Sequence, residues 1–583
     1  MAEAPRSSTR PWRVVVDSAR SQRAGLSSVA AALLLSTALP LAGPLLVKRF
    51  IDEAFAKQPL SRLVVTACIY LAVAVAAQAA AVATAFAASR WSWETTNVLR
   101  EQVASHALGL DYAFHGRHTA GEMIERVDGD IVGLTQFLSQ FVVQAVGSLL
   151  LLVGALVLVS LQDGRLGLAF VALVLMAGTV LWRGQRAIVP FADDEREAWA
   201  QLYGGIEERL AGAEDIRANG AGRHMLNRFH ESSGAAFRAR YRLQKWWGLL
   251  LAAAGALFGL GTAALLGVGA VLQHSGAITL GTLVALYQYS RLVQQPVEQI
   301  VAQAKQLQDA AASTARVARL LAEQPTMVDP PEPVSLPSGP LPVRLRQVTF
   351  AYGDDPPVLH GIDLEVRAGR SLGLVGRTGS GKTTIGRLLL RLYDPTEGAV
   401  ELGGVDVRAV ASGDLRTRVG AVTQDVQLFS ASVADNLTLF SDETDRQRLR
   451  SVLYDVGLGR WLESLPDDVD TILGPGGIGM SAGESQLLAL ARIFLRDPAV
   501  VLLDEPSSRL DPATEQRVEE ATARLLAGRT AVVIAHRVTS LLHVDDVAVL
   551  EDGRVIEHGP REALAADPSS HFSRLLQPSE VGQ

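Results

Sequence analysis

A single cysteine, Cys68, stands in 583 residues. That excludes an intrachain disulfide framework and leaves the redox compartment open. Lysine is nearly as scarce: five residues against 49 arginines, which with the abundant alanine reads as a GC-rich genome and not as chemistry. Positive charge is not in excess either, since 54 basic side chains face 61 acidic ones, a net charge of −7. A nucleic-acid binder would show a basic face, so no nucleic-acid partner is expected. Charge is missing altogether from long stretches. No Asp, Glu, Lys or Arg falls between Arg23 and Lys48, Arg62 and Arg90, Asp130 and Asp163, Arg165 and Arg183, or Lys245 and Arg291.

What fills those stretches is apolar. Hydrophobic residues make up 48% of the chain and charged ones only 20%. A bilayer core needs ~20 apolar residues per helix, and the last gap is long enough for two, with the turn-like His274-Ser275-Gly276 near its middle. Six spans are therefore predicted, near 24–47, 63–89, 134–160, 166–188, 246–272 and 278–300. So much apolar surface in series is incompatible with water. The first span has arginines before it, as a secretory signal would, but it is long and five more follow, so it is read as retained. The N-terminal tail carries Arg6, Arg10, Arg13, Arg20 and Arg23, and the segments 90–130 and 183–245 are long and arginine-rich. Basic segments stay inside, which places both termini in the cytoplasm and the chain in the cytoplasmic membrane. The two long segments have helical patterning and are expected to extend the spans beyond the bilayer.

Length and charge both divide the chain near Pro325. Residues 1–325 carry a net +5 and residues 326–583 a net −12. Single cores rarely grow past ~250–300 residues. The expected organisation is an all-α six-helix transmembrane domain over 1–325, a proline-rich linker over 326–342 (TMVDPPEPVSLPSGPLP), and a soluble α/β domain over 343–578.

The soluble part carries a phosphate-binding pattern. SLGLVGRTGSGKTTIGRLLLRL reads strand, glycine loop, helix, and Gly376-Arg377-Thr378-Gly379-Ser380-Gly381-Lys382-Thr383 fits G-x-x-x-x-G-K-[ST] in that setting. Glycines let backbone N–H groups curl around phosphates at a helix N-terminus. Lys382 would reach the β- and γ-phosphates of ATP, Thr383 would bind Mg²⁺, and Thr384 continues the site. The apolar strand AVVLLDEP ends in Asp504 and Glu505. A carboxylate at that position holds the magnesium shell through water, and Glu505 is placed to polarise the attacking water. A third strand, TAVVIAH, ends in His536, which taken alone is either structural or a sensor of the γ-phosphate.

With these motifs in hand, the chain resembles a half-transporter of the ABC superfamily, of the exporter type with an N-terminal membrane domain. The resemblance covers nearly the whole chain. It implies that Tyr352 stacks on adenine and that Gln424 joins the Mg²⁺ site, with Thr383 and Asp504, to the membrane domain. It also implies a D-loop at Ser508-Arg-Leu-Asp511, a switch role for His536, an α-helical signature subdomain, and coupling helices near 112–119 and 212–222. The chain departs from the family at the signature, usually Leu-Ser-Gly-Gly-Gln, which here reads Met480-Ser481-Ala482-Gly483-Glu484. It departs again at Pro475, where related exporters commonly have glutamate. In such proteins each signature faces the ATP bound by the partner's glycine loop. A methyl at Ala482 and a negative charge at Glu484 both oppose a polyanion. The changes cluster on the face that serves the partner, while Tyr352, Lys382, Gln424, Asp504, Glu505 and His536 match. The expected partner is therefore a second, different half-transporter chain, favoured over a homodimer that tolerates the altered signature.

The resemblance implies ATP-driven alternating access. Uncharged spans disfavour a pathway for small ions. Gln78, Gln140, Gln144, Gln294, Gln295 and the run Tyr287-Gln288-Tyr289-Ser290-Arg291 either line a cavity for amphipathic molecules, such as drugs or lipids, or simply bond neighbouring helices. Lipid and a small-molecule or lipid substrate are the other expected partners. An importer of the same membrane fold, or a regulatory ATP-binding subunit, are the rival readings.

Overall fold

The computed structural model describes residues 11–424, 426–441, 445–474, 479–504, 512–535, 541 and 543–576. The chain forms two compact units, Met1–Gly109 with His118–Gln324, and Leu110–Arg117 with Pro325–Gln583.

The first unit is helical. It contains α1 (Trp12–Ser21), α2 (Arg23–Phe55) and α3 (Leu60–Leu108); α4 (Tyr112–Arg117) follows in the chain but belongs to the second unit. Then come α5 (Ala120–Gln162), α6 (Gly164–Ala211), α7 (Ala213–Ala218), α8 (Gly222–His274) and α9 (Leu280–Ala322). Two π-helical turns, Glu125–Gly129 and Phe141–Val146, interrupt α5. The 53 residues of α8 reach roughly 80 Å at ~1.5 Å per residue, far more than a bilayer core requires. Among the described residues, α2, α3, α5, α6 and α8 are each long and apolar enough to cross a membrane. No more than 39% of any of their most apolar windows is buried within the chain. Leu34 and Leu35 on α2, Leu71, Val75, Val82 and Phe86 on α3, and Leu168 and Leu175 on α6 all stand open. Such a surface is stable against lipid tails and not against water. α9, expected to hold the span 278–300, is helical throughout, but its run of Tyr, Gln and Arg leaves it too polar to join the other five.

Short links set the helix ends. Asp163 is the N-cap of α6, its carboxylate accepting from the backbone N–H of Arg165 at 2.8 Å and of Leu166 at 3.2 Å. Gly276, at φ +76°, turns the chain between α8 and α9, and the Thr279 hydroxyl caps α9. A second cap comes from across the bundle. The Asp52 carboxylate near the end of α2 accepts from Gly281 N–H at 3.1 Å and from the Thr279 hydroxyl at 3.0 Å. The approach is so close that a Cβ on Gly281 would meet the Asp52 carboxylate and the Lys48 carbonyl. Asp52→Ala is expected to destabilise the helical unit by about 1 kcal/mol, the usual cost of a lost cap. Gly281→Leu should cost more, and thermal unfolding in detergent checks the order.

The unit's core is where Phe170, Leu173, Ala177 and Leu181 of α6 meet Leu250, Ala254 and Phe258 of α8 and Ala285, Tyr289 and Val293 of α9. Tyr289 is fully buried, its hydroxyl donating to the Leu41 carbonyl at 2.8 Å. A ladder of polar pairs joins α5 to α9. Arg316 clasps the buried Asp130 with N···O distances of 2.9 and 3.1 Å. Gln306 donates to Gln140 at 3.0 Å, Gln303 to Gln144 at 2.8 Å, and Ser148 to Gln299 at 2.7 Å. Of the two readings of Gln140 and Gln144, the structure takes the second: they bond a neighbouring helix.

The second unit is α/β. β2 (Leu359–Val366), β1 (Val343–Phe350), β4 (Glu397–Leu402) and β5 (Val405–Asp406) form an antiparallel sheet in the order β2-β1-β4-β5. A six-stranded sheet runs β10-β9-β3-β8-β7-β6, built from β3 (Ser371–Gly376), β6 (Val419–Val422), β7 (Val500–Asp504), β8 (Thr530–Ile534), β9 (Asp546–Glu551) and β10 (Arg554–Pro560). All its pairings are parallel except β9 with the edge strand β10. Near-continuous apolar strands such as Val500–Leu503 are buried on both faces, as a parallel sheet requires. Among the helices of this unit are α10 (Lys382–Leu389) after β3, α11 (Ala482–Arg496) before β7, and α12 (Pro512–Leu526) before β8. Helices between β6 and β7 pack Leu449, Val452, Leu453 and Leu462 against Leu487 and Leu490 of α11.

Candidate functional site: a glycine loop at the head of the parallel sheet

β3 is an interior strand of the sheet, and the chain leaves it at Gly376 to enter α10 at Lys382. Only glycine suits Gly376: its φ is +153°, and a Cβ there would collide with the carbonyl oxygen of Leu550 on β9. Gly379 and Gly381 also take positive φ, which curls the loop back over the start of α10. Lys382 is 4% exposed, and its ammonium donates to the carbonyls of Gly376 at 2.7 Å and Arg377 at 3.0 Å. Burial holds its pKa below the ordinary lysine value, with the Asp504 carboxylate pulling the other way. The Ser380 hydroxyl is buried and has no hydrogen-bond partner among the described residues. An orphaned hydroxyl, a buried ammonium resting on carbonyls and a loop of N–H groups at a helix start form a donor set that suits a polyphosphate.

Asp504 ends β7, two strands from β3 with β8 between them. Burial raises its pKa above the usual aspartate value, opposed by Arg387 and Lys382. Thr383 is exposed at the start of α10, and Gln424 is exposed just past β6, where its carbonyl accepts from the Gln486 amide at 3.2 Å. Carboxylate, hydroxyl and amide oxygens are the ligands a magnesium ion takes, so these residues fit one. Thr378 lies in the loop itself. Glu505, Ser508, Asp511 and His536, together with Pro475, lie outside the described residues.

Tyr352 follows β1 and stands beside α10. Its hydroxyl shares a hydrogen bond with Thr384 at 3.0 Å and accepts one from Arg387 at 3.1 Å. Its ring makes edge contacts with Phe350 and Tyr393, at 4.8 and 5.2 Å between centroids. The same cluster receives α4. Tyr112 lies edge-on to Tyr393 at 5.9 Å, the Arg387 guanidinium stands 5.8 Å from the Tyr112 ring, and Asp111 accepts from the Thr326 hydroxyl at 2.7 Å. A segment from the helical half of the sequence, within the stretch 112–119 expected to be a coupling helix, thus packs in the second unit. The second expected segment, 212–222, holds the short helix α7 in the first unit. Sequence reasoning missed Arg387 and Tyr393; the available signal was an arginine five residues beyond Lys382 in an otherwise apolar stretch of the helix.

The altered signature opens α11. Ser481 is its N-cap, and Ser481 and Glu484 form a capping box: the Glu484 N–H donates to the Ser481 hydroxyl, while the Glu484 carboxylate accepts from the Ser481 N–H and hydroxyl, both at 2.9 Å. Ala482 is exposed and Gly483 buried. The negative charge of Glu484 is therefore folded back onto the N-terminus of its own helix.

Comparison with known proteins agrees with this geometry. Residues 28–297 match the family model of the ABC transporter transmembrane region, and residues 359–508 that of the ABC transporter itself. The chain is 30% identical over 504 residues to a fatty acid ABC transporter ATP-binding/permease protein of Mycobacterium bovis, covering 86% of this chain and 79% of that one. It is 31% identical over 574 residues to a multidrug efflux ATP-binding/permease protein of the same species, covering 97% of this chain but spanning about half (47%) of that longer protein. A bacterial Atm1-family ABC exporter solved with ATP bound shares the fold, with a TM-score of 0.80 at 24% identity over 96% of this chain and 99% of that one. The chain belongs to the ABC transporter family: a membrane protein that fuses a helical transmembrane region to a nucleotide-binding ATPase domain and couples ATP hydrolysis to transport.

Proposed function

We propose that the chain is one half of a dimeric, ATP-driven exporter of amphipathic or hydrophobic molecules across the cytoplasmic membrane. The observation that carries this reading is the Gly376–Thr383 loop and Asp504 at the head of one parallel sheet, in the same chain as a helical unit whose apolar faces stand open. The transmembrane domain is 1–325 with six spans, α9 supplying the sixth, the linker 326–342 and the ATPase domain 343–578. Both termini lie in the cytoplasm, where the basic segments are.

In this reading Gly376–Gly381 cradle the triphosphate of ATP, and Lys382 exchanges its two carbonyls for β- and γ-phosphate oxygens. Ser380 finds its missing partner there, and Tyr352 flanks the adenine. Thr383, Asp504 and Gln424 would hold Mg²⁺, which supplies charge neutralisation on the phosphates. Glu505 takes the proton of the attacking water, and His536, Ser508 and Asp511 complete the site around the γ-phosphate. Loss of the γ-phosphate removes the anion that held the loop and the partner together, and α4 carries that change toward the spans. Relatives that move fatty acids or effect multidrug efflux support an amphipathic cargo.

The partner is a different half-transporter chain. A Glu484 carboxylate seated at the start of α11 is a poor counterpart for a second triphosphate, which supports one strong and one weak ATP site over two equal ones. Inside-out membrane vesicles from cells expressing the chain with its partner test the export reading. ATP-dependent accumulation of a lipophilic dye, lost with Lys382→Ala, is expected; loss of preloaded dye on adding ATP would mean import instead.

A further inference from the structure

Five membrane-length helices turn long apolar faces to the outside of the helical unit, whereas α9 exposes Leu280 and Leu307 only near its start and beyond its middle. Ala285, Leu286, Tyr289, Val293 and Val297 of α9 are buried in the bundle. Its open side, at successive helical turns, carries Tyr287, Arg291 and Gln295. Arg291 ends the longest charge-free stretch in the chain and stands 11 positions past the start of α9 at Leu280. At ~1.5 Å per residue it therefore lies roughly 17 Å along the helix, at the depth of the hydrocarbon core. It is exposed, and it makes no hydrogen bond or ion pair with any described residue. The nearest carboxylate on its own helix, Glu298, lies two turns on and accepts from the Gln294 amide at 3.3 Å.

A guanidinium open to lipid tails at that depth is expensive, whereas one that meets an anion in a polar lumen is not. An apolar face would have served as well for packing against lipid. We propose that Arg291, flanked by Tyr287 and Gln295, is the headgroup site for the exported molecule, and that this molecule is an anionic amphiphile with a carboxylate or phosphate beside an apolar tail. This rests on reading α9 as the sixth span of an exporter. A guanidinium fork suits both oxyanions, the tyrosine and glutamine add neutral donors, and the scarcity of other charge in the spans leaves Arg291 to set the sign of the headgroup.

The test is binding without ATP, in lipid nanodiscs holding the full-length chain. Four fluorescent probes share one C18 tail and differ in headgroup: carboxylate, phosphate, alcohol and trimethylammonium. The expected result is about tenfold tighter binding of an anionic probe than of the alcohol, as a charge-assisted hydrogen bond gives. The carboxylate and phosphate arms decide between a fatty-acid-like and a phospholipid-like cargo. Arg291→Gln should bring the anionic probes level with the alcohol, Arg291→Lys should retain most of the preference, and Arg291→Glu should turn it toward trimethylammonium. Equal affinity for all four heads in the wild type, or an unchanged preference in Arg291→Gln, overturns the proposal. So does a variant that keeps its preference but loses subunit association by native mass spectrometry, which would assign the arginine to a carboxylate of the partner chain. Nucleotide binding measured in the same discs reports folding of each variant. It also separates the two readings: head-group selection in a chain that binds no nucleotide would sink the exporter and leave this site standing.

Discussion

Lys382→Ala is expected to weaken ATP binding about a hundredfold and to remove hydrolysis with it. The ammonium is buried against two carbonyls that bind it only until a better acceptor arrives. Charge-assisted hydrogen bonds are worth roughly 1.5–3 kcal/mol each, so losing even one or two to the phosphates costs one to two orders of magnitude or more. The same lysine gives a pH dependence with a definite sign. Burial lowers its pKa, so the charged form that ATP requires is lost as pH rises through that lowered value, on a limb beginning below the ordinary lysine range. Affinity should thus fall with rising pH in the alkaline window, and Lys382→Arg should flatten the limb because arginine keeps its charge. Asp504 works in the opposite window. Burial raises its pKa, so Mg²⁺ binding should fail as pH drops through a value above that of an ordinary aspartate. Titration of a fluorescent nucleotide across pH, with and without Mg²⁺, reads both.

Restoring the signature is the second large effect. Glu484→Gln combined with Ala482→Gly should raise the ATPase activity of the chain expressed alone by about tenfold. The start of α11 is an anion-binding position, and the Glu484 carboxylate already fills it with two 2.9 Å hydrogen bonds. Glutamine keeps the capping geometry, since its amide oxygen accepts the same bonds, but it removes the charge that repels a triphosphate. Glycine removes the methyl. Fold stability should change little, because the capping box survives. An activity that rises while the thermal midpoint stays level assigns the effect to the facing nucleotide; an activity that stays level means the altered signature is not what restrains this chain.

Much of the molecule was legible in its residues because the signals were local. Gaps between charges fall within long helices, five of them apolar enough to cross a membrane, and the glycine loop announced itself through spacing that only a strand-to-helix phosphate cradle needs. Three features were not legible, each for a physical reason. The Asp52 cap on α9 joins residues more than 220 positions apart, and no local pattern reports a crossing helix. The polar ladder between α5 and α9 depends on register and on two π turns that shift it, so the glutamines there could be read either as a cavity or as glue. Arg387 joins the site only through Tyr352, Tyr393 and Tyr112, which come from separate stretches of the chain. The apolarity expected of residues 278–300 was also too high: α9 carries Tyr287, Arg291 and Gln295 there and is not among the five described helices apolar enough to cross a membrane.

The central claim is that this chain carries a working hydrolytic half-site. The most direct test is its Mg²⁺-dependent ATPase activity in lipid nanodiscs, assembled with the proposed partner half-transporter, beside the same assembly carrying Glu505→Gln in this chain only. The account predicts robust turnover that falls about a hundredfold or more in the variant while ATP remains bound, the loss expected when a general base is removed. Turnover that survives Glu505→Gln would place the chemistry in the partner and contradict it.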